Sequence, residues 1–119
     1  TFSTTNGTYT QITGTAVPEA QQDDGVSGPI TLGFTFPYGS QSYTDIRICS
    51  NGWVGLGPLL SSYDYDNDLS SVESVPLIAP LWDDLSLTAG SVQYLLSGSG
   101  NVSCLWLQKQ YSTQFPAGE

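Results

Sequence analysis

The residues with the clearest capacity for chemistry are three aspartates in one polar loop. Asp64, Asp66 and Asp68 alternate at the spacing of the first three ligands of a calcium-binding loop. Alternate carboxylates in a loop can converge on one hard cation. The pattern then fails, because Leu69 stands where such loops have glycine and Val75 where they have a bidentate glutamate. Ca²⁺ is therefore a candidate cofactor, and a solvated acidic loop is the alternative.

Two further acid pairs, Asp23-Asp24 and Asp83-Asp84, have the residue types of cation ligands or of the two acids of a glycosidase. Aspartate after an apolar strand more often accepts backbone N–H bonds and begins a turn. The chain contains no histidine, which excludes Ser-His and Cys-His nucleophile arrangements within it. We therefore expect no catalytic residues and a protein that is not an enzyme.

Cys49 and Cys104 are the two cysteines of the chain. Two cysteines in a chain of extracellular character favour a disulfide between them. A reduced pair in the core is the alternative. Without histidine the two cysteines cannot form a structural zinc site.

Aromatic residues offer a second kind of site, a platform on which sugar rings stack. Trp53 lies in an apolar stretch, which favours packing in the core. Tyr63 and Tyr65 lie in the polar loop and are the candidate glycan contacts, because aromatic side chains are enriched at recognition surfaces. A carbohydrate-binding module is therefore the alternative to a purely structural function.

The charge balance restricts the partners. Two basic residues against eleven acids give a net charge of −9, and charged residues make up only 11% of the chain. Such a chain repels nucleic acid and anionic lipid. It also has no run near the roughly 20 apolar residues of a membrane span. We expect an extracellular or cell-surface protein that neither binds nucleic acid nor inserts into a membrane, with a halophilic protein as the alternative explanation of the acidity.

The stretches that must position these residues have the periodicity of strands. Ile30, Leu32, Phe34 and Phe36 alternate with small polar residues, the clearest strand pattern in the chain. Residues 43–57 predict a hairpin in which Asn51 and Gly52 form a tight primed turn, since both tolerate a positive φ.

The later part of the chain also favours strands. Residues 76–82 contain two prolines and predict an edge or bulged strand. Residues 91–96 and 102–111 predict a second hairpin, whose second strand is apolar on both faces and is expected to be central. No stretch favours a long helix. We predict one domain over residues 1–119, an all-β antiparallel sandwich with a jelly-roll-like arrangement.

The stretch TLGFTFPYGSQSYTDIRICSNGWVGLG, followed by VPLIAPLWDDL and GSVQYL, resembles the nidogen-like extracellular domain NIDO. It is also similar to related domains of bacterial surface proteins. Residues 102–111, with Trp106, resemble the tryptophan-bearing strand of that family. The resemblance implies a β-rich extracellular module of adhesive or matrix proteins and no catalytic residues.

The family pattern continues past the tryptophan strand, whereas this sequence stops soon after it, so the domain is expected to be incomplete at that end. Residues 1–17 are strand-prone and rich in threonine. We expect a segment from another copy or from a larger surface protein to complete the sheet by strand addition and to build a filament. The candidate donor residues are Phe2, Tyr9 and Ile12. The alternative is that the chain is a piece of a longer protein whose later residues finish the domain.

Overall fold

The structure is a computed structural model that describes residues 2–58, 68, 70 and 76–107. The described residues form two antiparallel sheets, one of three strands and one of four. Their strands are β1 (Thr15–Ala16), β2 (Ile30–Tyr38), β3 (Gln41–Ile48), β4 (Val54–Leu56), β5 (Leu77–Ile78), β6 (Ser91–Ser97) and β7 (Asn101–Leu107). The predicted all-β fold is confirmed. In this part of the chain no helix has the length and apolar character needed to cross a membrane.

The four-stranded sheet has the order β2-β3-β4-β5. The alternation in β2 places Leu32 in the core and leaves Thr31, Gly33 and Thr35 exposed, as the sequence pattern predicts. β2 pairs with β3 from Ile30 to Tyr38, with a shift of register between Thr31 and Phe36. The two-residue strand β5 lies at the edge of this sheet, which confirms the prediction for residues 76–82.

The turn between β3 and β4 lies where the Asn51-Gly52 dipeptide predicts it, but its type is different. The Cys49 N–H donates to the Trp53 carbonyl at 3.0 Å, and the Gly52 N–H donates to the Cys49 carbonyl at 3.3 Å. Gly52 has a φ of 80°, and no described residue other than glycine has a positive φ. The primed two-residue turn was therefore the wrong prediction, since a three-residue hairpin loop needs a left-handed glycine only at its last position.

The core lies between the two sheets. The four-stranded sheet contributes Ile46, Ile48 and Leu56, and the other layer contributes Val17 and Val92. Trp53 is 1% exposed, which confirms its predicted place in the core. These contacts confirm the β-sandwich, whereas the jelly-roll-like arrangement stays a prediction.

The three-stranded sheet has the order β1-β6-β7, so β7 lies at its edge within the described residues. β6 and β7 form the predicted hairpin with an unbroken register from Ser91 and Leu107 to Ser97 and Asn101. The central position predicted for β7 is not confirmed, since β6 is its one neighbouring strand among the described residues. The apolar residues of β7 are half-buried on both faces.

Candidate functional site

An apolar cavity of about 220 Å³ lies between the two sheets and is partly open to solvent. On one side β7 contributes Val102, Cys104 and Trp106. The opposite wall comes from the inner face of the four-stranded sheet: Leu32, Phe36, Ile46, Val54, Leu56 and Ile78. We call this cavity, together with the edge of β7 that has no partner strand among the described residues, the slot.

The slot lies between the inner face of β7 and the four-stranded sheet. Among the described residues, all four strands of the larger sheet line it, and from the smaller sheet β7 does so. The cavity thus lies at the β7 end of the smaller sheet rather than under β1 or β6. A strand placed beside β7 would bond to the backbone groups that β6 does not use and that have no partner strand in the described part of the chain, and it would cover the apolar wall beneath.

The residues of β7 themselves carry no protection against pairing. Natural edge strands are guarded by charged side chains, prolines, bulges or short length. β7 has seven residues, Asn101–Leu107, with no charge, no proline and no shift of register against β6. Residues 85–108 contain no charged residue at all. This edge is thus chemically ready to accept a further strand.

The predicted donor segment is at the surface of the molecule. Residues 2–14 form no strand, and Phe2 and Tyr9 are 91% and 73% exposed. Ile12, the third predicted donor residue, is half-buried. The ordered sheet begins just after this segment, where the Gly14 N–H donates to Gln93 Oε1 at 3.0 Å.

The β3–β4 turn holds two neighbouring loops through side chains that sequence analysis did not single out. Asn51 is fully buried; its Nδ2 donates to Asp24 Oδ1 at 3.1 Å, and its Oδ1 accepts from the Leu85 N–H at 2.9 Å. Ser50 Oγ accepts from the Gly25 N–H and donates to the Asp23 carbonyl. The only sequence signal for these hydrogen bonds is a Ser-Asn-Gly stretch accompanied by two Asp-Asp pairs.

These contacts place the acid pairs in turns. The Asp83 N–H donates to the Asn51 carbonyl at 3.3 Å, and Asp83 Oδ1 accepts from the Asp84 N–H at 2.9 Å. Asp24 accepts from Asn51. These hydrogen bonds directly support the interpretation of both Asp-Asp pairs as turn residues. Among the described residues no group of three or more potential ligands is placed to hold a metal ion.

The candidate calcium and glycan residues fall mostly outside the described residues. Asp64, Asp66, Tyr63 and Tyr65 all lie there. Asp68 is exposed, and its Oδ1 accepts from both the hydroxyl and the N–H of Ser70, which lowers the pKa of this carboxyl. Calcium binding stays a prediction, tested by whether millimolar calcium, and not sodium of equal ionic strength, raises the melting temperature.

The predicted disulfide is not confirmed, since both cysteines are in the thiol form. Cys49 is buried at the turn, where its Sγ accepts from the Asn51 N–H at 3.5 Å. Cys104 instead lines the slot, and burial raises the pKa of its thiol to about 11. The contact that does join this part of β7 to the turn is a hydrogen bond from Trp106 Nε1 to the Cys49 carbonyl, at 2.8 Å.

The two antiparallel sheets define the chain as a β-sandwich module. The sequence pattern of the family described as NIDO related matches residues 1–108, and the chain belongs to that family. This confirms the resemblance to nidogen-like domains. No curated protein and no solved structure matches the chain.

Proposed function

We propose that this protein is a non-enzymatic extracellular module with a structural or adhesive role, a subunit of a surface filament joined by strand addition at β7. The slot is the observation that carries the proposal. Extended segments commonly bind by adding a strand to an exposed sheet edge, with main-chain hydrogen bonds for affinity and side-chain pockets for specificity. The slot offers both features, an unprotected seven-residue edge and an apolar cavity beside it.

The surface chemistry supports an extracellular structural role. Membership of the NIDO-related family supports a module of the extracellular type. The net charge of −9 keeps such a module soluble and away from nucleic acid and anionic membranes. The acid pairs with the residue types of a glycosidase are engaged in turns, which favours a structural use of these carboxylates.

The test is the assembly state of the full chain together with the protection of β7. We expect oligomers in light scattering and filaments in electron microscopy. In the assembled material the amide hydrogens of β7 should exchange more slowly than at low protein concentration, because a second strand then bonds to them. A protein that is monomeric at high concentration, with equal β7 exchange throughout, contradicts the proposal.

A carbohydrate-binding module remains the alternative function. It rests on the aromatic residues Tyr63 and Tyr65, and Tyr38 in the described part is 43% exposed with its ring stacked on Phe36 at 6.4 Å between centroids. A glycan array with the full chain separates the two functions. Binding that is lost in Tyr63→Ala or Tyr65→Ala, with assembly unchanged, supports the carbohydrate function.

A further inference from the structure

We propose that the strand entering the slot is the segment of residues 2–11 from a second copy of this chain, an inference that rests on the proposed function. The donor and the acceptor are both present in every copy. The assembly therefore needs no other polypeptide.

The length of the segment fits the edge that it meets. β7 has seven residues, which span roughly 23 Å at about 3.3 Å per residue. Residues 2–11 provide ten residues that form no strand in their own copy. Three further residues, 12–14, remain to connect the donated strand to β1. The segment can thus cover the whole edge without breaking the β1–β6 pairing of its own copy.

The charge distribution is compatible with contact between these two surfaces. Two molecules of charge −9 repel each other, yet residues 1–18 and 85–108 contain no charged residue. Every acid lies outside these two ranges. Contact between the N-terminal segment and β7 therefore brings together two uncharged stretches of an acidic protein.

The cavity fits an aromatic side chain of the donor. Its volume is about 220 Å³, whereas an engineered protein cavity of about 150 Å³ already holds benzene. Phe2 and Tyr9 are both highly exposed apolar residues of the segment. Seven positions separate them, so they project from opposite faces of a strand. In any single register only one of the two rings can therefore enter the slot.

The order of the strands makes this assembly open-ended. The donor segment leads into β1, at one edge of the three-stranded sheet, and the acceptor β7 forms the other edge. Each copy then gives a strand at one edge and receives one at the other. Such a head-to-tail contact does not close on itself by pairing alone, and its repetition produces a filament.

The first experiment separates donor and acceptor by substitution. The donor variant is Phe2→Ser with Tyr9→Ser, and the acceptor variant is Val102→Asp, which puts a charge into the slot. We expect each variant alone to be monomeric, and their mixture to form a one-to-one heterodimer that grows no further. The rescue in the mixture establishes that the donor variant retains a folded acceptor, and the circular dichroism spectrum of the acceptor variant checks its fold. A donor variant that still forms filaments overturns the inference.

The second experiment uses Cys104 as a reporter inside the slot. Peptides of residues 2–13 carry a single cysteine at successive positions from 3 to 11 and are mixed with the full chain under diamide, which takes up the two electrons and two protons released. We expect cross-linking yields that alternate with a period of two, because neighbouring residues of a strand face opposite sides. The matched control Cys104→Ser should abolish the cross-link. Uniform yields, or cross-linking that survives in the control, contradict the inference.

The outcomes distinguish this inference from the proposed function on which it rests. Filaments that persist in the donor variant and show protected β7 amides would keep strand addition and exclude this donor. A full chain that stays monomeric and forms no cross-link with the peptides contradicts both the inference and the proposed function. Filaments that require residues 2–11, together with cross-linking of the peptides to Cys104, support both the inference and the proposed function.

Discussion

At the scale of single residues, the buried amide of Asn51 connects three parts of the chain. It belongs to the β3–β4 turn, donates to Asp24 in one loop and accepts from Leu85 in another. A buried polar group left without its partner costs about 1 to 3 kcal/mol. We therefore expect the side chain of Asn51 to contribute more to the free energy of unfolding than an ordinary turn residue does.

Replacement of Asn51 tests this role. Asn51→Ala removes the acceptor of the Leu85 N–H and the donor to Asp24, and we expect a loss of about 2 to 4 kcal/mol in the free energy of unfolding. Urea denaturation at low protein concentration measures it. Asn6→Ala is the matched control, since Asn6 also precedes a glycine but is exposed, and it should change stability by less than about 0.5 kcal/mol. Equal effects of the two substitutions would contradict the role.

The thiol of Cys104 predicts a loss of stability in alkali. Burial raises its pKa in the folded state from 9.0 to about 11, so the folded protein keeps a proton that the unfolded chain releases. The stabilisation is fully present below pH 9 and is lost as the pH rises through 11, by at most about 3 kcal/mol. Cys104→Ser has no such group. The difference in unfolding free energy between the two proteins should therefore shrink between pH 8 and pH 11, and a constant difference contradicts the prediction.

At the scale of elements, glycines mark the points where the strands turn or bend. Gly33 has a φ of 74° in β2, within the stretch where its register against β3 shifts. Gly52 has a φ of 80° and in addition lies against the Leu81 carbonyl, which a Cβ would meet at 1.8 Å. Gly28 is exposed, and a Cβ there would meet nothing within 4 Å. Substitutions at these three positions therefore distinguish the cost of a left-handed backbone from the cost of a steric clash.

Alanine at the three positions should give graded effects. Gly28→Ala changes stability by less than about 0.5 kcal/mol, because it meets no obstacle. Gly33→Ala costs about 1 to 2 kcal/mol for a left-handed backbone alone. Gly52→Ala adds a clash with backbone, and we expect a loss of roughly 4 kcal/mol or more. Chemical denaturation measures the series, and a Gly52→Ala variant no less stable than Gly33→Ala would contradict the close approach.

At the scale of the whole molecule, the charges are separated from the proposed contact surfaces. The acids that give the net charge of −9 lie between residues 19 and 84 or at position 119, outside both the N-terminal segment and the β6–β7 hairpin. Charge repulsion then opposes assembly as a long-range effect, while the contact itself is apolar and hydrogen-bonded. This arrangement of charges therefore predicts how salt affects assembly.

Assembly should strengthen as salt is added. The Debye length falls from about 30 Å at 0.01 M to about 8 Å at 0.15 M, which screens the repulsion between copies without weakening an uncharged contact. We expect filaments at lower protein concentration in 0.15 M sodium chloride than in 0.01 M, by light scattering. The Val102→Asp variant should remain monomeric in both. Assembly that weakens with salt would instead indicate ion pairs at the contact.

The sequence by itself determined the strands and their local connections. The alternation in residues 30–36 and the position of the turn at Asn51-Gly52, though not its type, are local signals, since side-chain periodicity and glycine's backbone freedom act within a few residues. Family membership was also visible, because its motifs combine such local patterns.

Only the tertiary structure decided that β7 is the last strand of its sheet among the described residues, that a cavity lies against it and that the side chain of Asn51 joins two loops. The sequence pattern of an apolar strand is the same whether a second strand or an open slot lies next to it. The choice depends on contacts between residues far apart in the chain, such as the 57 positions between Trp106 and Cys49. Hydrogen bonds and burial at that range have no local pattern from which they can be predicted.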